Sequence, residues 1–426
     1  MNKYLPRLVD KLIKEDLRLY GAVSIEGPKW CGKSTTASRF AKSKLELQNP
    51  DTRQNNLSIA ANQPSLLLSG DKPRLIDEWQ DAPELWDAVR YDVDRTGLTN
   101  QYILTGSATP RRNQPKHSGA GRIVRLMMRP MSLYESGDST GEVSLSDIFD
   151  FDGHDDIQGS AGFRLEDIAY LAARGGWPEN VLRQPDKPNK LARDYLNTIL
   201  GSDVNSSDVT PHNPAKMRVL LRSLARNIST PANISTILED TRGDNESSVS
   251  DASISSYLAT LEQVHITDDI EAWYPELRSK TRVRTGKKRN FVDPSLAIAA
   301  LRASEQDLLA DFHTFGLVFE SLALRDLQVY AQSLDGDLFY YRDKNGLECD
   351  AIIHLTDGKW GAIEIKLGAD RTTIDKAAEN LLKFSEIVDT GQMKEPSCLM
   401  ILSGISSYAY RRPDGVLVVP IGCLRD

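Results

Sequence analysis

The sequence has little cysteine, and what it has is scattered. Its 426 residues include only Cys31, Cys349, Cys398 and Cys423, with no CxxC pair. This pattern excludes a disulfide framework and gives no sign of a zinc site. No run approaches the ~20 apolar residues of a membrane-spanning helix, and the charged N-terminus lacks the apolar core of a signal peptide. We therefore expect a reduced, cytoplasmic chain with no membrane partner.

An overall excess of positive charge is also missing. The formal net charge is −8, from 52 Lys and Arg against 60 Asp and Glu. Such a chain does not attract nucleic acid over its whole surface, so any nucleic-acid contact must come from a local basic patch. The length is ample, since 426 residues suggest about three domains at roughly 150 residues each.

The strongest motif is GPKWCGKS at residues 27–34, which fits the pattern G-x-x-x-x-G-K-[ST]. It follows an apolar strand and precedes an apparent helix, which is the context that a phosphate-binding loop requires. Lys33 would reach the β- and γ-phosphates of ATP, and Ser34 would bind Mg²⁺. The residues predicted to surround the nucleotide are Gly27, Pro28, Lys29, Trp30, Cys31, Gly32, Lys33, Ser34 and Thr35.

A second apolar strand, RLIDE at residues 74–78, ends in two adjacent carboxylates. In this class of site Asp77 helps to hold Mg²⁺. The neighbouring Glu78 can orient and deprotonate water as a general base. A solvated strand end would show the same pair, but its position about 45 residues after the phosphate loop favours a catalytic role.

Two further features follow the carboxylate pair. A third strand, QYILTGS at residues 101–107, ends in hydroxyls, and Thr105 or Ser107 can sense the γ-phosphate or serve as a capping group. Arg122, in GAGR, is a candidate cation for the transition state, where an arginine finger contributes ~10³–10⁵ in rate. The alternative for Arg122 is an ordinary surface arginine.

The composition changes along the chain and predicts four parts. Alternating strands and helices predict a parallel α/β core over residues 1–135. Residues 136–205 open with an acidic stretch rich in Gly, Ser and Asp, which we interpret as an exposed connection contributing to a lid, and continue as helices. Residues 206–295 predict three helices and a β-ribbon, the plan of a winged helix, and residues 296–426 mix helices with strands.

A polar hairpin, GLECDAIIHLTDGKWGAIEIKLG at residues 346–368, lies in the last part. Its two strands are joined by an Asp-Gly turn. Because side chains alternate faces along a strand, Glu364 and Lys366 point the same way, and strand pairing brings them near Asp350. Like charges held this close are costly unless a cation or the lysine neutralises them, which favours a site over a merely solvated face.

The order of motifs resembles a large prokaryotic group of AAA+-type ATPases over nearly the whole chain. The C-terminal half of that group resembles a winged helix followed by a PD-(D/E)XK nuclease-like α/β domain. Lys29, Trp30 and Cys31 stand at variable positions of the loop, and the acidic 136–160 segment is longer than usual. The motifs that carry the resemblance are GPKWCGKST, LIDEWQDAPELW, YILTGSAT, GR, ARGGWP and FVDP.

The resemblance assigns roles within the hairpin. The nuclease-like superfamily uses a helix Glu, a strand Asp and (E/D)-x-K on the next strand, which Glu320, Asp350 and Glu364 with Lys366 match. The three carboxylates are the implied ligands of Mg²⁺ or Mn²⁺, and Lys366 would position a water or a phosphate oxygen. Related domains often keep this fold for binding without cleavage, so both outcomes stay open.

A basic stretch, RSKTRVRTGKKRN at residues 278–290, lies where the wing of a winged helix would be. It holds seven basic residues in thirteen and no acid. We name it the basic ribbon, and its candidates for contact with nucleic-acid phosphates are Arg282, Arg284, Lys287 and Lys288. The alternatives are a solvated loop or a protein contact.

The sequence therefore predicts a Mg²⁺-dependent ATPase that acts on nucleic acid or is regulated by it, with a metal-dependent nuclease domain as a further hypothesis. The alternative is a nucleotide-controlled switch whose C-terminal half is a non-catalytic protein-binding module. DNA and RNA are equally open as targets. A homo-oligomer and a monomer are both compatible with these motifs.

Overall fold

The structure, a computed structural model, describes residues 4–107, 119–150, 157–201, 213–241, 251–274, 286–388 and 393–426. The chain divides into two compact units. Unit 1 consists of Met1–Pro130 with Leu261–His265, and unit 2 of Met131–Thr260 with Ile266–Asp426. Among the helices of the described ranges, none has the length and apolar character that crossing a membrane requires.

Unit 1 is built on a parallel sheet with strand order β2-β3-β4-β1-β5. The register pairs Glu26 with Gly106 and Asp77 with Thr105, so the carboxyl ends of β1, β3 and β4 meet at one edge. This confirms the parallel α/β architecture predicted for the N-terminal part. The strands are β1 (Ala22–Glu26), β2 (Ser43–Glu46), β3 (Arg74–Asp77), β4 (Tyr102–Gly106) and β5 (Ile123–Met127), and the helices are α1 (Val9–Leu19), α2 (Lys33–Ser38), α3 (Arg53–Asn62) and α4 (Glu84–Thr96).

The core of unit 1 follows from its sequence pattern. Every residue of β1 is buried, as expected for a strand covered on both faces of a parallel sheet. Trp79 and Trp86 are fully buried, with ring centroids 4.6 Å apart. The amphipathic α4 buries Trp86 with Leu85, Val89 and Val93, and this packing fixes the segment that follows the Asp77-Glu78 pair.

Unit 2 combines helices with a larger mixed sheet. Its helices are α5 (Leu133–Ser136), α6 (Leu145–Phe149), α7 (Leu165–Arg174), α8 (Pro178–Arg183), α9 (Lys190–Gly201), α10 (Pro214–Arg226), α11 (Ile234–Thr241), α12 (Asp251–Gln263), α13 (Pro294–Leu301), α14 (Glu305–Ala310), α15 (Phe312–Ser333) and α16 (Arg371–Ile387). Its strands are β6 (Val143–Ser144), β7 (Glu271–Ala272), β8 (Gly336–Arg342), β9 (Glu348–Leu355), β10 (Trp360–Lys366), β11 (Cys398–Ser403), β12 (Tyr410–Arg411), β13 (Leu417–Pro420) and β14 (Leu424–Arg425).

The main sheet of unit 2 has the order β12-β13-β11-β10-β9-β8-β7. β8, β9 and β10 form an antiparallel meander, and β10 pairs in parallel with β11. The long helix α15 is capped by Asp311, whose side chain accepts hydrogen bonds from the backbone N–H groups of His313 and Thr314. α15 packs against β8, β9 and β10, which brings Glu320 toward the predicted hairpin.

A buried ion network explains two of the motifs in unit 2. The Arg325 guanidinium donates to Asp293 at 2.9 Å and to Asp326 at 2.7 Å, and all three side chains are almost fully buried. Asp293 also accepts the Gly176 N–H at 2.9 Å. A Cβ at Gly176 would lie 2.1 Å from a backbone oxygen, so this contact requires glycine. The FVDP and ARGGWP motifs therefore meet around one buried arginine.

The structure corrects the interpretation of residues 136–160 as an exposed connection. Residues 136–150 include the end of α5 and all of α6, and Val143, Leu145, Ile148 and Phe149 are buried. β6 pairs in parallel with β14, so this stretch is anchored to the end of the chain. The acidic composition misled because the apolar residues between the acids provide a buried face. Residues 151–156 lie outside the described residues.

The part predicted as a winged helix contains the three expected helices, α10, α11 and α12. Residues 267–270 pair with residues 288–291 through antiparallel bridges, which form the base of the predicted ribbon. Residues 275–285 lie outside the described residues. The winged-helix assignment and the boundaries at 205/206 and 295/296 stay predictions.

Candidate functional site

The phosphate loop of unit 1 connects β1 to α2. Gly32, just before α2, has a φ of 102°, a conformation that favours glycine. Gly27 has a φ of 153°, and a Cβ there would lie 2.2 Å from the backbone oxygen of Met128. Trp30 is about half exposed and also has a positive φ. The loop therefore has the glycine-dependent geometry that the motif predicts.

Lys33 lies buried inside this loop. Its Nζ donates to the carbonyl oxygen of Pro28 at 2.7 Å. Within the described ranges no ion pair joins Lys33 to a carboxylate. A neutral carbonyl is a modest partner for an ammonium group, and phosphate oxygens form stronger, charge-assisted hydrogen bonds. Lys33 can therefore exchange the carbonyl for a phosphate without breaking an ion pair.

Asp77 lies at the centre of the carboxyl edge of the sheet. It accepts hydrogen bonds from Ser34 Oγ at 2.7 Å and Thr105 Oγ1 at 2.5 Å, and Lys44 Nζ lies 3.1 Å away. Burial alone would raise the pKa of Asp77, but these hydrogen bonds and the charge of Lys44 outweigh it and lower that pKa. The carboxylate is therefore ionised at neutral pH. The structure brings Ser34, Asp77 and Thr105 together as the sequence predicts.

Glu78 occupies a left-handed backbone conformation, with a φ of 59°, directly after β3. Its N–H donates to Thr105 Oγ1 at 3.3 Å. Its carboxylate accepts a hydrogen bond from Ser107 Oγ at 3.0 Å and a second, short one from Gln80 Nε2. This backbone turn aims the carboxylate along the edge where the nucleotide phosphates are expected.

Gln80 and Lys44 belong to this site but were not found by sequence reasoning. The Oε1 atom of Gln80 is buried and has no hydrogen-bond partner among the described residues, so it can accept a hydrogen bond from a bound water. Lys44 reaches Asp77 from the neighbouring strand β2. Gln80 follows Glu78 by two residues and offered a local signal, whereas Lys44 depends on which strand lies beside β3.

The structure does not bring Arg122 to the nucleotide site. β1 and β5 run parallel, with Ala22 opposite Ile123 and Glu26 opposite Met127. Arg122 precedes β5 and so lies at the amino edge of the sheet, a strand length away from the phosphate loop. Its guanidinium forms an ion pair with Asp94 of α4. Arg122 therefore cannot serve a nucleotide bound by the loop of its own chain.

In unit 2 the four predicted residues of the hairpin site converge. Lys366 Nζ lies 2.9 Å from Asp350 Oδ2 and 2.6 Å from Glu364 Oε2. Asp350 also accepts the N–H of Ile365 at 2.8 Å. Asn380, on α16, donates to the other oxygen of Glu364 at 2.6 Å.

The structure adds Lys288 to this group, which we name the acid–lysine cluster: Glu320, Asp350, Glu364, Lys366 and Lys288. Lys288 Nζ lies 2.6 Å from Glu320 Oε1 and 3.1 Å from the carbonyl oxygen of Asp350. Only 6% of the Lys288 side chain is exposed. This differs from the prediction that Lys288 contacts nucleic-acid phosphates, because its carboxylate partner Glu320 holds it in the interior.

The electrostatics of the cluster follow from burial and from neighbouring charges. Burial and the charge of Asp350 raise the pKa of Glu364 to about 7, against the opposing effect of Lys366. Burial also raises the pKa of Glu320 to about 7, opposed mainly by Lys288. For Asp350, burial is outweighed by Lys366 and Lys288, so its pKa lies below its usual value. The cluster thus contains more negative charge than its two lysines comfortably neutralise.

The cluster fits a divalent cation in donor type but not in arrangement. Carboxylate oxygens are the ligands that Mg²⁺ and Mn²⁺ prefer. Within the ranges that the structure describes, however, no three acidic, histidine or cysteine side chains are grouped closely enough to hold a metal ion. The two lysines occupy the carboxylate oxygens instead. A metal held by Glu320, Asp350 and Glu364 would have to displace at least one ammonium group.

The rest of the basic ribbon is only partly described. Arg282 and Arg284 lie outside the described residues. Lys287 is exposed, as a phosphate contact requires, whereas Lys288 is buried. The neighbouring Arg289 forms an ion pair with Asp269.

Three sequence families match successive parts of the chain. Residues 20–137 match a family described as an AAA domain. Residues 165–307 and 315–424 match two families described as domains of unknown function, DUF8612 and DUF4143. Uncharacterized proteins of Mycobacterium bovis and Mycobacterium tuberculosis are each 23% identical over 350 residues, which cover 81% of this chain and 70% of each relative.

Two solved structures resemble the chain with low TM-scores and low sequence identity. The Walker-type ATPase PABY2304 of Pyrococcus abyssi has a TM-score of 0.37 and 14% identity, covering 68% of this chain and 94% of that one. The Hef helicase domain of Pyrococcus furiosus has a TM-score of 0.22 and 10% identity, covering 98% and 94%. The AAA-domain match and the loop geometry support an AAA-like P-loop ATPase fold for residues 20–137.

Proposed function

We propose that unit 1 binds ATP with Mg²⁺ and hydrolyses it. Lys33 would bind the β- and γ-phosphates, and Ser34 and Asp77 would hold the cation, which neutralises phosphate charge when bound. Glu78 would accept the proton of the attacking water, with Gln80 and Ser107 orienting its carboxylate. The observation that carries this proposal is the convergence of Ser34, Asp77 and Thr105 at the edge that the phosphate loop faces.

We further propose that unit 2 acts on nucleic acid through its PD-(D/E)XK-like arrangement. Support comes from the convergence of Glu320, Asp350, Glu364 and Lys366 on one helix and two adjacent strands. When bound by these carboxylates, Mg²⁺ or Mn²⁺ would lower the pKa of a water and stabilise charge on a phosphodiester. Lys366 would position the phosphate oxygen or the water.

One observation favours the alternative, a nucleotide-controlled switch whose C-terminal half binds a protein and cuts nothing. Lys288 fills the cluster from the ribbon side and satisfies Glu320 directly. A buried ion pair of this kind supplies the charge balance that a metal would otherwise provide. The two functions therefore differ in one measurable property, the affinity of the cluster for divalent cations.

Cleavage assays separate the two functions. Purified protein is incubated with ATP, Mg²⁺ or Mn²⁺, and single- and double-stranded DNA and RNA. The nuclease function requires metal-dependent cleavage that Lys366→Ala abolishes while ATPase activity is retained. Lys359→Ala, on the turn of the same hairpin, is the matched control and should leave cleavage unchanged. Absence of cleavage with either metal would show that the C-terminal half is a binding module without nuclease activity.

The basic ribbon is tested separately, by its salt dependence. Neutralising Arg282, Arg284 and Lys287 to Gln should weaken binding to all sequences alike. It should also reduce the slope of log binding constant against log salt concentration by about one for every phosphate contact that the substitutions remove. Lys288 is left intact because its substitution would disturb the interior. Unchanged affinity and slope would show that the ribbon is a solvated loop or a protein contact.

A further inference from the structure

A groove on unit 2 is lined by arginines, and none of the described residues that line it is acidic. It lies between α9, α10 and α13 and has a volume of about 460 Å³. Arg193, Arg218, Arg222 and Arg302 line it, together with leucine, valine and alanine side chains and Asn197. In a chain with a net charge of −8, four arginines around one groove are an unusual concentration of positive charge.

Helical spacing places these arginines on facing surfaces. Arg193 and Asn197 are four residues apart on α9, and Arg218 and Arg222 are four apart on α10, so each pair shares one helix face. Arg302 follows α13 in a left-handed conformation, with a φ of 58°. Like charges four residues apart on a helix are mildly destabilising, so this arrangement does not serve the stability of α10.

Among the described residues, no ion pair that stabilises the fold involves these four guanidinium groups. All four side chains are exposed, and no ion pair involves any of them within the described part of the chain. Arg218 donates a hydrogen bond to Asn197 Oδ1 at 3.2 Å, which lies within the groove itself. By contrast, Arg183 and Arg226 of the same unit form ion pairs with Glu179 and Asp240.

The volume of the groove and the chemistry of its arginines restrict the class of ligand that it can bind. A guanidinium forms paired hydrogen bonds with phosphate and is preferred over lysine where phosphate is recognised. An acidic helix would occupy roughly 500 Å³ per turn, so the groove would hold only about one turn of it. An extended nucleic-acid strand carries one phosphate per nucleotide, so it can place successive phosphates beside the arginines of three elements that border the groove. The apolar floor is compatible with sugar and base surfaces.

We propose that this arginine groove binds the phosphate backbone of single-stranded nucleic acid, without reading its sequence. The proposal rests on the nucleic-acid partner of the proposed function but on none of its catalytic residues. It adds a contact surface distinct from the basic ribbon and from the acid–lysine cluster.

The test compares two variants of the full-length chain with the same change of charge. The groove variant carries R193Q, R218Q, R222Q and R302N, since asparagine tolerates the left-handed conformation at position 302. The control variant carries R164Q, R183Q, R226Q and R371Q, all exposed arginines of unit 2 outside the groove. Circular dichroism confirms that both are folded. Fluorescence anisotropy with labelled oligo-dT and oligo-rU of about 12 nucleotides is measured over a series of salt concentrations.

We expect the groove variant to lose at least tenfold in affinity and to lower the log–log salt slope by about 0.7 for each phosphate contact removed. The control variant should bind as the wild type does. If the groove variant and the control behave alike while the wild type binds, the groove proposal is overturned and the proposed function stands. If the wild type binds neither oligonucleotide, the groove proposal fails, whereas the proposed action on nucleic acid fails only if double-stranded DNA and RNA are not bound either. Loss of polyglutamate binding by the groove variant alone would assign the groove to an acidic protein.

Discussion

The two candidate sites use the same kinds of side chain in opposite ways. In unit 1, Lys33 donates to a neutral carbonyl. Asp77 is held mainly by two hydroxyl groups. In unit 2, Lys288 and Lys366 each donate to a glutamate at 2.6 Å. The nucleotide site therefore keeps its loop lysine available, whereas both lysines of the acid–lysine cluster form ion pairs with its carboxylates.

This difference determines what each site must give up to bind a ligand. A phosphate that enters unit 1 replaces a carbonyl at Lys33 and adds charge pairing. A cation that enters the cluster must displace a buried ammonium, whose removal leaves an uncompensated charge elsewhere. An anionic ligand can therefore enter unit 1 without breaking an ion pair, whereas a cation that enters the cluster of unit 2 has to break one. The following predictions test this contrast.

The largest expected effect is on ATP hydrolysis in unit 1. Replacing Glu78 by Gln keeps the side-chain shape but removes the base, so we expect kcat to fall by ~10²–10⁴. ATP affinity should be nearly unchanged, because Lys33 and Asp77 are retained. Single-turnover hydrolysis and equilibrium binding of a fluorescent ATP analogue measure the two quantities. Glu84→Gln, at an exposed position of α4, is the control, and a wild-type rate for Glu78→Gln would show that another group is the base.

The contrast predicts that buried and half-exposed lysines differ in their effect on stability. Lys288→Met leaves Glu320 buried without its partner, and we expect a loss of about 3–5 kcal/mol in the free energy of unfolding. Lys44→Met removes a partner of Asp77 from a site where the lysine side chain is 32% exposed, so the loss should stay below about 1 kcal/mol. Urea titration measures both.

A double variant checks the cause of this effect. Lys288→Met combined with Glu320→Leu should recover most of the lost stability, because both charges are then absent. Equal, small losses for Lys288→Met and Lys44→Met would contradict the contrast between the two sites. Recovery of stability by millimolar Mn²⁺ in Lys288→Met alone would indicate that the carboxylates can hold a metal once the lysine is removed.

Lys33→Ala tests the opposite case, a lysine that matters for binding and little for folding. We expect ATP affinity to fall at least 100-fold, which corresponds to about 2.7 kcal/mol. The unfolding free energy should change by less than about 1.5 kcal/mol, since only a hydrogen bond to a carbonyl is removed. Lys42→Ala, an exposed lysine just before β2, should affect neither. A large loss of stability with ATP binding retained would refute this assignment.

The smallest expected effect concerns Lys72 of unit 1, which has no carboxylate within hydrogen-bond distance among the described residues. Its Nζ donates to the Leu68 carbonyl at 2.7 Å and lies 3.5 Å from the centre of the Tyr102 ring. Burial lowers the pKa of Lys72 to about 8. Between pH 8 and the usual lysine pKa of about 10.4, the unfolded chain binds more protons at this position than the folded chain does. The contribution of Lys72 to the free energy of unfolding therefore rises with pH across that window.

Lys72→Met should remove this contribution. The difference in urea midpoint between wild type and Lys72→Met should change in favour of the wild type between about pH 8 and pH 9.5. Lys42→Met should show no such change. A constant difference across this range would mean that Lys72 titrates in the folded chain as it does in the unfolded one.

Sequence reasoning located the nucleotide site because its residues lie on local motifs at strand ends. The carboxyl ends of parallel strands meet at one edge, so Asp77 and Thr105 had to lie near the phosphate loop. The hairpin was predictable for a similar reason. Alternation along β10 fixed the common face of Glu364 and Lys366, and the short turn fixed their strand partner.

The residues that the sequence missed depend on contacts between distant elements. Lys288 belongs to a run of basic residues that predicts exposure, and nothing in its spacing shows that Glu320, on α15, will bury it. Lys44 reaches Asp77 only because β2 lies beside β3 in the sheet. Arg122 was open to correction from the sequence itself, because a residue that precedes a parallel strand lies at the edge opposite the phosphate loop.

The pairing of β6 with β14 has a consequence for the timing of folding during synthesis. Ser139 donates to the Leu424 carbonyl at 2.7 Å, across 285 positions of the chain. At about 5–20 residues per second, a ribosome needs roughly 15–60 seconds to add this length. Unit 1, apart from Leu261–His265, has been synthesised long before then. For that interval Val143 lacks its strand partner Leu424, so this segment stays open to a chaperone after unit 1 has been made.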